Sequence, residues 1–175
     1  MKRMVILVLL ALFWSVSSAS TELKVGEKAA DFILKDSLGK EYTLNSPEFY
    51  GRVAYINYSD ISSKDMNKHV DSSLKEDTGI DRKSNYVGFG IANMKASMVP
   101  DFIIAKVIKS KQQETGATIL LDENYVILNI WGLKNHSSNV VVLDKNRICR
   151  YIYKGKLPPE EVAKLIGIIK DYQVK

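Results

Sequence analysis

The chain has 175 residues, 46% hydrophobic and 26% charged, with 10 Gly and 4 Pro. That is the composition of one globular domain of roughly 100–200 residues, and it excludes a disordered, collagenous or coiled-coil chain. A single cysteine excludes a disulfide scaffold, an Fe–S cluster, a cysteine-built zinc site and any dithiol mechanism within one chain.

Residues 1–19 read as an address. Lys2 and Arg3 precede an apolar run from Met4 to Val16, and Ser17 and Ala19 supply a small-x-small pair. This is a secretory signal pattern, with cleavage expected after Ala19. The run is shorter than the about 20 residues a membrane span needs, so no stable membrane insertion is expected after cleavage, and the expected location is periplasmic. Losing Lys2 and Arg3 takes 25 basic residues to 23 against 20 acidic, and the formal charge from +5 to +3. That balance is too mild and too evenly spread for a nucleic-acid partner. The mature chain, residues 20–175, is long enough to bury a core without staples.

Asp31–Leu34 and Tyr42–Leu44 flank Asp36-Ser37-Leu38-Gly39 and predict a hairpin. Arg52–Tyr58 (RVAYINY) predicts a buried strand, bounded by Gly51 and Ser59. Ser62 is expected to open a helix whose buried stripe is Met66, Val70 and Leu74, with Gly79 ending it. Asn85–Asn93 predicts a second central strand in which Gly88 and Gly90 mark a bulge. Pro100 and Asp101 suit a helix start, and Val99, Phe102, Ile103 and Val107 are expected to form its apolar face. A strand over Ala117–Leu121, a short helix over Tyr125–Trp131, a hairpin of Asn139–Leu143 with Ile148–Tyr153, and a helix after Pro158-Pro159 complete the chain. Strands alternating with helices imply parallel pairing, and the closing hairpin supplies an antiparallel edge.

That order is the order of a thioredoxin-like domain. Gly26, Ala29, Asp31, Phe32, Leu34, Asp36, Gly39 and Leu44 resemble the opening segment of extracytoplasmic thioredoxin-like and peroxiredoxin-like proteins, with Ala30 where proline is usual. Ser62-Ser63-Lys64-Asp65-Met66-Asn67, the serine-led run from Ser137 to Lys145, and Pro159-Glu160-Glu161-Val162 resemble the YtfJ family, secreted bacterial proteins with no settled activity. The resemblance covers nearly the whole mature chain. It implies an α/β, three-layer α/β/α sandwich with a mixed sheet and a C-terminal β-hairpin plus helix.

Under that resemblance, the two positions of a thioredoxin Cys-x-x-Cys fall on Ser62 and Asp65, and the usual cis-proline position falls on Ser138. Neither Ser62 nor Asp65 forms a disulfide. Ser-x-x-Asp at a helix start suggests a capping box contributing about 1 kcal/mol. Ser138 is expected in a trans peptide, since a non-proline cis bond costs about 3 kcal/mol. A triad of Ser62, His136 and Asp60 or Asp65 can be drawn, but no nucleophile-elbow motif accompanies it.

The reading reached from these residues is a secreted thioredoxin-fold protein without dithiol redox activity, binding a protein or small ligand. It assigns no catalytic residue, no cofactor and no metal, since His69 and His136 lack ligand spacing. The candidate binding surface is Ser59, Asp60, Ser62, Ser63, Asp65, His136, Ser137 and Ser138, at the carboxyl end of the sheet where open α/β folds place their sites. The alternative is single-cysteine redox chemistry through Cys149 with a partner's cysteine, which needs an exposed thiol. A structural envelope component without a pocket is the third possibility. Trp131, Tyr125 and Tyr151 are read as core or hairpin aromatics as readily as binding ones.

Overall fold

The computed structural model describes residues 22–175, and of Glu114 and Thr115 the backbone alone. The expected signal segment, residues 1–19, lies outside them. In chain order the elements are β1 (Leu34–Asp36), β2 (Glu41–Tyr42), β3 (Val53–Ser59), α1 (Lys68–Glu76), β4 (Tyr86–Asn93), α2 (Asp101–Thr115), β5 (Ile119–Asp122), α3 (Val126–Ile130), β6 (Asn139–Leu143), β7 (Cys149–Lys154) and α4 (Pro159–Gln173). The strands form one seven-stranded sheet in the order β2-β1-β5-β4-β3-β6-β7. β3, β4 and β5 pair in parallel, while β1, β2, β6 and β7 join antiparallel. This is the thioredoxin-like α/β architecture. No helix among the described residues is long and apolar enough to cross a membrane.

The alternation of a strand sends its side chains to two layers. Val53 and Tyr55 of β3 pack with Val70 and Leu74 of α1 and with Val162, Leu165 and Ile169 of α4. Ala54, Ile56 and Tyr58 face the other way, onto Ile127, Trp131 and the amino-terminal segment with Phe32 and Leu44. The Trp131 Nε1–H donates to the Ala30 carbonyl at 2.9 Å, so this tryptophan is a core residue. The Asp122 carboxylate accepts from the Val126 and Ile127 amides at 2.7 and 3.0 Å and from the Tyr58 hydroxyl at 3.2 Å, which fixes α3 against β3.

Three local expectations are corrected. The β3–β4 register runs unbroken from Val53↔Tyr86 to Ser59↔Ala92, so Gly88 and Gly90 mark no bulge. A Cβ on Gly88 would lie 2.8 Å from the Tyr86 hydroxyl oxygen, so glycine there leaves room for the tyrosine lying over it. The irregularity in the sheet falls instead between Val142 and Leu143, against β7. Second, α1 begins at Lys68, not at Ser62, and Met66 precedes the helix half-buried. The chain from Ile61 to Asn67 is a succession of turns. Third, Val99, Phe102, Ile103 and Val107 do not cover the core. Phe102 is 73% exposed, and α2 docks through Ile104 and Ile108 onto Met94 and Leu121.

Candidate functional site

β3 ends at Ser59 and delivers Asp60 to the carboxyl end of the sheet. Its buried carboxylate organises the following turn. Oδ1 accepts from the Ser62 amide at 2.8 Å, the Ser62 hydroxyl at 2.6 Å, the Ser63 amide at 2.9 Å and the Ser63 hydroxyl at 3.0 Å. Such an Asx-type turn competes with helix formation, which explains the late start of α1. The expected capping box is absent: Ser62 spends its hydroxyl on Asp60, and no side-chain hydrogen bond caps α1. Asp65 is exposed and paired with Lys64 at 2.8 Å.

Asp60 Oδ2 is buried and has no hydrogen-bond partner, and His136 Nδ1 lies 3.7 Å from it. His136 is exposed and held with φ at 51°, in the left-handed region. Burial pushes the Asp60 carboxyl up, but the hydrogen bonds from Ser62 and Ser63 outweigh it and hold it below the usual carboxylate range.

Behind this turn lies a buried amide and hydroxyl network. Asn67 Nδ2 donates to Ser138 Oγ at 2.9 Å and to the Gly155 carbonyl at 2.8 Å, while Asn67 Oδ1 accepts from the Leu157 amide at 2.9 Å. Ser138 Oγ donates to Asn57 Oδ1 at 2.8 Å. Asn139 clamps the loop carrying His136, accepting from the Lys134 amide and donating to the Lys134 carbonyl, both at 2.9 Å. Asn93 Nδ2 donates to Asn135 Oδ1 at 3.0 Å, tying the end of β4 to the same loop. These asparagines were missed in the sequence. Asn57 inside the apolar run RVAYINY was the available signal.

The structure therefore divides the predicted residues. Asp60, Ser63, Ser137 and Ser138 are buried and hold the surface from below. Ser62, Asp65 and His136 are exposed, and Ser59 is half-buried at the strand end. No cis peptide occurs among the described residues, so Ser138 is in a trans peptide. The Ser62 proton faces a carboxylate oxygen, not the imidazole. A carboxylate held in its ionised form is a weak base, so the arrangement does not activate a serine nucleophile. Among the described residues no cluster of three or more His, Cys, Asp or Glu is placed to hold a metal. His69 Nε2 instead contacts the Leu157 carbonyl at 2.9 Å.

Cys149 overturns the single-thiol alternative. It is fully buried in β7, burial pushes its thiol up to about 11, and it packs in the core layer with Trp131 and Leu143. A thiol without access or thiolate character exchanges no disulfide. Tyr151, on the same strand, donates its hydroxyl to Glu161 at 2.8 Å and belongs to the hairpin packing.

Beside the Asp60 turn, Ile61 packs against the Met94, Ile104 and Ile108 cluster, and the Ala96 amide donates to Asn93 Oδ1 at 3.2 Å. The loop into α2 thus adjoins the site, with Met98 and Val99 exposed on it and Phe102, Ile103 and Val107 exposed on α2 itself.

Comparison with known proteins gives the family and the fold. A family model described as a bacterial protein of unknown function, YtfJ_HI0045, matches residues 18–172. An uncharacterized protein of Haemophilus influenzae is 30% identical over 61 residues, 35% of this chain and 33% of that one. The uncharacterized protein YtfJ of Escherichia coli is 32% identical over 69 residues, 39% of this chain and 38% of that one. The chain thus spans a little over a third of the length of the curated relatives it matches. The exposed lipoprotein thioredoxin Etrx1 of Streptococcus pneumoniae superposes with a TM-score of 0.58 at 17% identity, over 79% of this chain and 98% of that one. At that identity the likeness concerns the fold alone.

Proposed function

We infer, from the premise that this chain belongs to the YtfJ_HI0045 family and has a thioredoxin-like fold with one buried cysteine, a binding protein without dithiol redox activity. It is released into the periplasm by cleavage after Ala19, and its ligand is another polypeptide of the cell envelope. The ligand docks at the carboxyl end of the sheet, on Ser62 and His136 and on the neighbouring apolar side chains of the α2 start.

The observation that carries this reading is the pairing of two unlike surfaces at one end of the sheet. Where the resemblance puts two thiols stand a hydroxyl tied to Asp60 and an exposed carboxylate. Next to them, Met98 is exposed on the loop into α2, and Phe102, Ile103 and Val107 are exposed on α2, which buries its other stripe. Contiguous exposed apolar side chains rimmed by polar groups mark interaction surfaces. A polypeptide supplies both the apolar anchors and the hydrogen-bonding groups that such a surface takes.

Three measurements test it. The secreted protein begins at Ser20 by amino-terminal sequencing. The purified mature protein leaves insulin disulfides intact when supplied with dithiothreitol, beyond the uncatalysed rate. A photocrosslinker at Ser62 captures a defined envelope polypeptide, capture falls at least about tenfold in Phe102→Asp, and it persists in Lys83→Glu at the far end of the sheet. Insulin reduction at the rate of a dithiol catalyst, or capture indifferent to Phe102→Asp, overturns the reading.

A further inference from the structure

Met66, Met94, Met98 and Cys149 are the sulfur-bearing side chains that follow the expected cleavage point. Peroxides oxidise such sulfurs, and they select by access and by thiolate character. The fold places the four very differently. Cys149 is fully buried, and burial pushes its thiol up to about 11. Met94 is 1% exposed and packs with Ile104, Ile108 and Leu121. Met66 is half-buried ahead of α1. Met98 is 103% exposed, more open than any other large apolar side chain among the described residues.

The loop between β4 and α2 is built to present it. The Met94 amide donates to the Asp122 carbonyl at 3.1 Å, which holds the start of the loop on β5. Asn93 Oδ1 accepts from the Ala96 amide at 3.2 Å, and Ser97 Oγ accepts from the Val99 amide at 3.0 Å. The two neighbours of Met98 are thus tied together by the Ser97 side chain, with Met98 at the tip between them. Val99 and Ile103 are exposed beside it in the chain. A side chain this open contributes little to the core, so its chemistry changes without unfolding the protein.

We propose that Met98 is an oxidative modification site that turns the polypeptide surface off. The co-reactant is a peroxide. The thioether sulfur attacks one peroxide oxygen, the O–O bond breaks, an S=O bond forms and, with hydrogen peroxide, the second oxygen leaves as water. Sulfur gives up two electrons and the peroxide takes them. Methionine sulfoxide is polar where the thioether was apolar. A partner that covers it with apolar side chains leaves the new oxygen without a donor, which is unfavourable. The proposal rests on the binding surface inferred above and adds its regulation.

The test treats the mature protein with hydrogen peroxide and follows each methionine by peptide mass spectrometry. Met98 is expected to gain one oxygen at least about tenfold faster than Met94, with thermal denaturation unchanged. Capture of the envelope polypeptide by the photocrosslinker at Ser62 is then expected to fall at least about fivefold. Methionine sulfoxide reductases A and B, supplied with dithiothreitol, should restore it. In Met98→Leu, capture is compared with that variant's own value before peroxide and should not fall. Oxidation of Met98 no faster than that of Met94, equal capture before and after oxidation, or an equal peroxide loss in Met98→Leu overturns the proposal and leaves the binding surface standing. Untreated protein that captures nothing at Ser62 overturns the binding surface itself, and its regulation with it.

Discussion

Asp60 is a buried carboxylate kept ionised by four donors from two serines. Its replacement by Asn keeps the shape but withdraws the charge that those donors face, and an unsatisfied buried group costs about 1–3 kcal/mol. Because the folded-state carboxyl lies below its unfolded value, its contribution is full above the unfolded value, near pH 4, and is lost as pH falls through the lower folded value. Urea denaturation is therefore expected to show Asp60→Asn less stable than the parent at neutral pH, with the gap closing once both forms are uncharged. A gap that persists unchanged into strong acid would mean that shape, not charge, matters there. Cys149 gives a second prediction at the same scale. Its thiol is buried and pushed up to about 11, so iodoacetamide at mildly alkaline pH reacts only through unfolding. The alkylation rate should rise in step with the unfolded fraction across a urea series, and rapid labelling of the native protein would contradict this packing.

At the level of elements, what the sequence reveals depends on how local the determining contacts are. β3 and β6 are legible because RVAYINY and NVVVL are short apolar runs rich in β-branched or aromatic residues, as a buried strand requires. α2 carries two stripes that fit one helical period, Val99, Phe102, Ile103 and Val107 on one side and Ile104 and Ile108 on the other. Which stripe is buried is decided by where Met94 and Leu121 sit, and no spacing along α2 contains that. The late start of α1 combines the local Asp60 turn with contacts that are nonlocal. Asn67 reaches Ser138, 71 residues away, and the Leu157 amide, 90 residues away. The positions of Ser62 and His136 at one end of the sheet follow from topology and were legible; the burial of Ser63, Ser137 and Ser138 beneath them was not, since serine is equally at home in a solvated loop. The stripes make a direct comparison possible. Ile104→Ala should cost about 2–5 kcal/mol, whereas Phe102→Ser should change stability by no more than about 0.5 kcal/mol. Thermal denaturation of the two variants checks this, and a larger loss from Phe102→Ser would place that ring in a core it does not occupy here.

Across the whole molecule, stability is unevenly distributed, and the uneven part coincides with the surface proposed for binding. β3 lies inside the sheet, paired with β4 on one side and β6 on the other, and it is covered on both faces by separate core layers. Its amides open only when the sheet comes apart. α4 is bound to the same centre through Val162, Leu165 and Ile169. α2 rests on the sheet near its β5 side through Ile104 and Ile108 in a small third cluster. Few buried apolar contacts and a solvated backbone permit local opening below the global free energy. Native-state hydrogen exchange is therefore expected to rank the amides of β3, β4 and β6 slowest, with exchange that accelerates steeply with denaturant as global unfolding does. The α2 amides should exchange faster and with weak denaturant dependence, since local opening exposes little new surface. An envelope polypeptide held on Met98, Phe102 and Val107 would bind α2 closed and not open, so it should slow α2 exchange selectively by mass action while leaving β3 unaffected. Exchange of α2 as slow as that of β3 in the free protein would show the helix to be part of the rigid core, and would remove the adaptable element on which a docking surface there relies.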